Sequence, residues 1–408
     1  MRKITIVGAG QFGLHLGIGL LREGYEVTIV TNRTADEVAS GKVLSSQILF
    51  GPVLKMEADL GLNPWIDDGG HVDGVSFTVG DGAGGRMLGW SHDMGGLGGQ
   101  SVDQRIKMPR WMSIFEERGG TLVIKDAGVD DLEVLATECD LLIVASGKGE
   151  ISSLFARDDR RSEIDRSQRH LAMVYVLGME PDQHGAHTSR YVQIPGVGEY
   201  VTFPCLSLNG PCDIIMYESV VGGPMHEMLK DVRDADAMLT AGVAVLDRIA
   251  PWEADRCRGL TVSDPLSFLT GAVTPTVRRP LAALPSGRTV MGGGDVCILN
   301  DPLTGQGANN ASKHADVVLR AIVAHGDRPF DAAFMERTFD AHWEKAQWVC
   351  RFANLMLNPT PDLAALMMAA SAKPQLRRDF FAGFADASTF ADWLFDGEGA
   401  RRKIAAAA

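Results

Sequence analysis

Two glycine-rich stretches hold the residues of this sequence whose types and spacing can do chemistry. The first, Gly8-Ala9-Gly10-Gln11-Phe12-Gly13, works by the removal of side chains. Gly8 permits a tight turn, Gly10 lets backbone amides approach a pyrophosphate, and Gly13 lets a helix pack closely on a strand, while the helix start offers its positive dipole end. In the second, "GGGDVCILNDPLTGQGANNA", Gly294-Asp295 follows Val290-Met291, and Pro302 to Gly307 lead into a helix that begins without bulky side chains. Free amides there favour a group that gains negative charge, such as a reduced isoalloxazine ring, and Asp295 can accept a hydrogen bond from a ribityl hydroxyl. A bound flavin dinucleotide is therefore expected. One usual contact is missing: about 20 residues past the first loop, where an acidic side chain ordinarily grips a ribose, the sequence reads Thr31-Asn32-Arg33.

The elements that must position these loops follow from the patterning. Ile4-Thr5-Ile6-Val7 reads as a strand, the stretch to about Glu23 as a helix, and Val27 to Thr31 as a second strand. Glycine is dense from Asp67 to Gly99, which points to short strands and long turns. "VDQRIKMPRWMSIFEERGG" reads as a helix despite Pro109, followed by the strand "TLVIKDAG", and "CDLLIVASGKGE" as a continuously apolar, buried parallel strand. Strands between about Leu171 and Met216 suggest a second, antiparallel sheet, and the chain from about Ala332 is mostly helical. Trp111, Trp343, Trp348 and Phe352 recur at helical spacing and read as core. The expected architecture is α/β, with a discontinuous nucleotide domain (1–66, 100–165 and 285–330), a β-rich substrate domain (67–99 and 166–284) and a helical region (331–408). A ligand crevice is expected between the layers, at the carboxyl ends of the strands.

Composition narrows the function. The chain has 408 residues, 45% of them hydrophobic, with a net charge of −13 and a pI near 5.2, so it has no basic surface suited to nucleic acid. No apolar run reaches the roughly 20 residues that span a bilayer, and no signal peptide opens the sequence; a cytoplasmic protein is expected. Cys139, Cys205, Cys212, Cys257, Cys297 and Cys350 form no CxxC pair and read as buried small apolar residues. The histidines lack ligand spacing, so no metal is assigned.

On "IVGAGQFGLHLGIGLL", "DLLIVASGKGE" and "GDVCILNDPLTGQGANNAS", the sequence resembles the FAD-dependent monooxygenases of the glutathione-reductase-like, hydroxylase-type fold. More narrowly, it resembles the oxygenase component of two-component styrene and indole monooxygenases, with similar spacing to about residue 360. The resemblance implies that the first loop binds the FAD pyrophosphate, that the Asp of the "GD" pair binds the ribityl chain, and that the "DPxxGQG" loop lies beside the flavin ring. These roles fall on Gly8, Gly10, Gly13, Asp295, Pro302, Gly305, Gln306 and Gly307; Gln11, Phe12, Asn32, Arg33, Gly294 and Asn309 complete the expected cofactor site. Arg105 occupies the place of a basic FAD contact.

The resemblance further implies an NADH-dependent flavin reductase that supplies reduced FAD, reaction with oxygen to a flavin 4a-hydroperoxide, and oxygen transfer to an electron-rich double bond. The cofactor does the difficult chemistry, so no nucleophilic residue is required. Weak grip on the ribose through Asn32 suits a cofactor that must arrive and leave. Ser45, Gln47 and Leu49 match positions where indole-type relatives carry Ser, Gln and Met, and styrene-type relatives Asn, Val and His. Val72 and Val75 fall where indole-type relatives have small aliphatic residues. Ser45 and Gln47 are the expected catalytic pair, with Gln47 pairing with an indole nitrogen. The expected reaction is epoxidation of indole, and of styrene-like alkenes, by a monomer or homodimer. A single-component FAD/NAD(P)H aromatic hydroxylase and a non-catalytic flavin-binding regulator remain as alternatives.

Overall fold

The computed structural model describes residues 1–45, 47–95, 98–147, 149–181, 185 and 187–407. β-Branched Ile4, Thr5, Ile6 and Val7 suit a pleated strand and form Lys3–Val7, after which Gly8 turns the chain at a φ of 123°. The helix Gln11–Arg22 follows, and the strand Glu26–Thr31 returns parallel to the first. Across this first sheet the order is Leu281–Ala283, Thr289–Gly292, Leu141–Val144, Lys3–Val7, Glu26–Thr31 and Thr121–Ile124. Every pairing is parallel except the hairpin of Leu281–Ala283 with Thr289–Gly292. That hairpin strand lies ahead of residue 285; Leu281-Ala282-Ala283 gives little strand signal in the sequence, and its pairing with Thr289–Gly292 is what completes the sheet edge.

The second sheet runs Thr261–Val262, Arg169–Leu177, Gly210–Val220, Gly198–Ser207, Thr188–Ile194, Gly74–Gly80 and Arg86–Asp93, with Phe268–Ala272 also on Arg169–Leu177. It differs from the antiparallel expectation at one seam, where Thr188–Ile194 pairs parallel with Gly74–Gly80. Strands joined by a tight turn must be antiparallel; these two come from separate excursions of the chain, so no turn constrains their direction. A small sheet of Leu49–Phe50, Gly99–Gln100 and His71–Val72 bridges the layers.

The central strands of the second sheet are covered on both faces, while Arg86–Asp93 at its edge is largely exposed. One face, with Val174, Tyr200, Ile215 and Tyr217, packs on the helices Pro224–Leu229, Ala235–Ile249 and Pro251–Cys257. The other, with Val75, Phe77, Met173, Phe203 and Ile214, shares a core with Phe352, Leu366, Phe380 and Phe390 of the C-terminal helices. The indole nitrogen of Trp90 donates to the Met367 carbonyl across that contact at 3.2 Å. Among the described residues, no helix is long and apolar enough to cross a membrane.

Candidate functional site

The glycines of the first loop divide by what surrounds them. A Cβ on Gly13 would stand 1.9 Å from the Gly8 carbonyl oxygen, and one on Gly8 would meet Ala145 at 2.9 Å, so the fold itself demands both. Gly10 is different. Its backbone is ordinary extended chain (φ −93°, ψ −168°), and a Cβ there meets no atom of the described residues within 4 Å. Gly307, which opens the helix Gly307–His325, is equally open. Neither helix start carries a side-chain cap, so each presents unsatisfied amides and a positive dipole end beside empty space. The two helices pack on one another, and Gln11 Nε2 reaches Ser312 Oγ at 2.8 Å between them. This is a cradle for an anionic, elongated group, and FAD fits its chemistry.

The second loop is seated on the first. A Cβ on Gly293 or Gly294 would strike the Phe12 side chain at 2.2 or 2.9 Å, which explains the glycine run before Asp295. His314 Nδ1 accepts the Gly294 amide at 3.2 Å while its ring stacks on His342 at 4.2 Å. Burial lowers the His314 pKa to about 3, so the ring stays neutral and keeps that acceptor. Asp295 lies exposed on the turn Gly294–Val296, beside Gly147 at the end of the Leu141–Val144 strand. Asp301 caps the turn Pro302–Thr304, and Gly305 takes the left-handed conformation (φ 64°) with Ile48 packed against it.

Several expected cofactor residues direct their side chains into the protein. Gln11 donates to Glu57 and Ser312, Phe12 lies beneath the second turn, and Gln306 donates to the Phe384 carbonyl. Those side chains are used within the protein, which leaves only backbone and shape to offer a ligand. Asn309 accepts from the Phe50 amide and donates to the Ile48 and Gly305 carbonyls, clasping the 48–50 segment to the end of the Pro302–Thr304 turn. Asn32 is exposed and Arg33 half-buried just past the Glu26–Thr31 strand.

Arg105 is buried, contrary to the solvated charge that a position near a helix start ordinarily carries. Its guanidinium grips Asp103 at 2.7 Å and Asp264 at 2.8 Å. Burial opposes the charge on Asp264, but the hydrogen bond and charge of Arg105 outweigh it and lower the Asp264 pKa. The same stretch of the second layer holds the chain at Val43, whose amide donates to the Leu266 carbonyl at 3.2 Å.

The five expected substrate residues separate into two groups. Ser45 accepts from Gln104 Nε2 at 2.6 Å, and Gln47 and Leu49 line a narrow crevice with Glu57, Trp65, Gln100 and Lys107. Gln104 and Lys107 stand one turn apart on the Gln104–Glu117 helix, so Ser45 and Gln47 meet the same helix. Val72 and Val75 belong instead to the apolar core of the second sheet. The Gln47 side-chain oxygen is buried and accepts from no described group. Sequence reasoning missed the crevice's charged floor: Lys107 Nζ meets Glu57 Oε1 at 2.7 Å, and Gln11 donates to the same oxygen. Burial raises the Glu57 pKa and lowers that of Lys107, and their mutual attraction offsets only part of it. A signal existed, because Lys107 lies four residues before Trp111 on the helix's buried stripe.

Residues 147–256 match the family model "Styrene monooxygenase A putative substrate binding domain". The chain is 29% identical over 397 residues to styrene monooxygenase StyA of Pseudomonas fluorescens, covering 94% of this chain and 92% of the relative. A StyA from a Pseudomonas species is 28% identical with the same coverage. Among solved structures, the flavin-dependent brominase Bmp2 superposes with a TM-score of 0.73 over 99% of this chain and 98% of its own, at 16% identity. The tetrameric 2-methyl-3-hydroxypyridine-5-carboxylic acid oxygenase gives 0.60 over 93% and 98%, at 15% identity. At those identities the likeness establishes the fold, that of FAD-dependent oxygenases and halogenases.

Proposed function

We infer that this chain, a flavin-dependent monooxygenase of the styrene monooxygenase oxygenase type, takes FAD already reduced by a separate flavin reductase and epoxidises an aromatic alkene, with indole preferred and styrene-like alkenes accepted. The observation that carries the cofactor reading is the pair of open glycines, Gly10 and Gly307, at adjacent helix starts. No described residue needs glycine there; a ligand's phosphates and ring would. FAD supplies the oxygen-transfer chemistry when bound.

The chain's own residues bind, orient and exclude water. Backbone amides at Gly10 to Gly13 hold the pyrophosphate, Asp295 takes the ribityl hydroxyls, and the Pro302–Gly307 segment faces the ring. Arg105 serves FAD as a neighbour that also holds Asp103 and Asp264. The bare oxygen of Gln47 supports an N–H donor in the substrate, which indole has and styrene lacks. Ser45, held by Gln104, steadies the reacting oxygen. The apolar face that carries Val72 and Val75 keeps water from the site.

The test is the oxidation of NADH by the purified chain with and without an added flavin reductase, with product analysis on indole and styrene. The reading expects colourless protein, no NADH consumption alone, and epoxide-derived product only with the reductase. Yellow protein that consumes NADH by itself would establish a single-component hydroxylase instead.

A further inference from the structure

A second group of buried ionisable residues lies where the second sheet meets the flavin-facing turn. Glu199 and Glu218 stand directly opposite one another on neighbouring antiparallel strands, so both carboxyls emerge on the same face. Arg169 forks onto Glu199, with Nε to Oε2 at 2.7 Å and Nη2 to Oε1 at 3.0 Å, and Nη2 also donates to the Leu357 carbonyl. The one guanidinium is thus spent on Glu199. Glu218 is fully buried, neither of its oxygens accepts from a described donor, and its carboxyl lies within hydrogen-bonding reach of Asp301. Asp301, 1% exposed, accepts the Leu303 amide at 3.1 Å. Tyr191 on the neighbouring strand completes the group, with its hydroxyl buried and without a partner among the described residues.

Three carboxyls and one guanidinium face each other here, and two carboxylates pressed together out of water cannot both ionise. Burial pushes the Glu218 pKa well up, and the charges of Asp301 and Glu199 add to it against a smaller opposing pull from Arg169. Asp301 is also raised by burial, but the Leu303 amide, Glu218 and Arg169 favour its charged form. Asp301 has a donor that rewards a negative charge, and Glu218 has none. The shared proton therefore resides on Glu218, with its O–H directed at Asp301.

We propose that Glu218 is a positioning residue that acts through a retained proton: its neutral carboxyl donates to Asp301 and so pins the Pro302–Gly307 turn against the second sheet. Asp301 caps that turn, and Gly305 to Gly307 after it form the open helix start. This rests on the reading above that the turn faces FAD; the location of the proton does not.

The experiment has two readouts on the full chain. Infrared spectra of the protein without FAD, with carbon-13 labelled glutamate, should show a protonated carboxyl at neutral pH that disappears in Glu218→Gln. Titration with chemically reduced FAD should show affinity falling about 10-fold or more in Glu218→Ala, the range expected for loss of a hydrogen bond to a charged partner. Glu218→Gln, whose amide can still donate to Asp301, should recover most of that loss. In the parent chain affinity should weaken as alkali removes the Glu218 proton, and in Glu218→Gln it should not. Absence of the protonated band overturns the proposal whatever the chain does with FAD, and stands even if Glu218→Ala fails to fold. A band with affinity indifferent to Glu218→Ala overturns the positioning role. A band intact in a chain that binds no FAD contradicts the cofactor reading itself.

Discussion

Lys107→Met removes the cation from a carboxylate sealed inside the protein. Glu57 and Lys107 are 1% and 2% exposed and meet at 2.7 Å, with Gln11 donating to the same oxygen. Methionine keeps the length and apolar fit of the lysine stem, so the variant changes charge more than volume. With the ammonium gone, Glu57 must take up a proton in the folded chain. Holding a carboxyl of ordinary pKa 4.5 neutral at pH 7 costs about 2.5 times 1.36, or about 3.4 kcal/mol, within the roughly 3 to 5 kcal/mol seen when one partner of a buried pair is removed. The pH dependence follows from the sign of the shift. The variant's folded pKa lies above the unfolded one, so the loss is small near the ordinary value and grows by about 1.4 kcal/mol per pH unit above it. Urea unfolding should therefore show a deficit of about 0.7 kcal/mol at pH 5 and about 3 to 4 kcal/mol at pH 7. Adding Glu57→Gln removes the stranded carboxyl and should recover most of the pH 7 loss. A deficit that ignores pH, or a double variant no more stable than the single one, would refute the reasoning.

The open space at Gly10 predicts that Gly10→Val leaves thermal unfolding within a few degrees of the parent while reduced-FAD binding is lost; Gly13→Ala, whose Cβ meets the Gly8 carbonyl at 1.9 Å, should instead lose folded protein. Equal damage to stability from both would remove the phosphate-loop assignment. His15, with its pKa lowered by burial from 6.5 to about 4, contributes stability that is present above its unfolded pKa and is lost as pH falls toward the folded value, by about 1.4 kcal/mol per unit. Replacement by leucine should narrow the gap between stabilities measured at about pH 6.5 and pH 4.5, and an unchanged gap contradicts this. Gln47→Val should lower the indole-to-styrene ratio of kcat/KM by about 2- to 13-fold, the worth of one neutral hydrogen bond. Equal effects on both substrates would sink the indole-nitrogen role.

The local motifs were legible because their physics is local. Gly8, Gly10 and Gly13 sit between a β-branched strand and a helix within a few residues, and the pattern alone names the turn at Gly8 and the close packing at Gly13. What joins distant segments was not legible. Arg105 and Asp264 lie 159 residues apart, and Glu57 and Lys107 lie 50 apart. Lys107 sits on a buried stripe of its helix, but nothing in the sequence names Glu57 as its partner, nor Asp264 as the partner of Arg105. Glu199 and Glu218 follow the period-two pattern of their strands, but the face they share becomes dry only when the C-terminal helices cover it. The grouping of Gln47 with Val72 failed to anticipate the small bridging sheet. Register there sets Leu49 opposite Gln100 on the crevice side, and Phe50 and Val72 opposite Gly99, with their side chains in the core.

What most needs testing is oxygen transfer with reduced FAD that the chain does not itself make. A single turnover tests it most directly: FAD reduced chemically under nitrogen is mixed with the chain, then with oxygenated buffer and styrene or indole, with no reductase and no NADH present. The expected result is epoxide-derived product approaching one equivalent per reduced FAD, with little hydrogen peroxide. Peroxide in place of product with both substrates, or product that forms only when NADH is supplied to the chain alone, would contradict it.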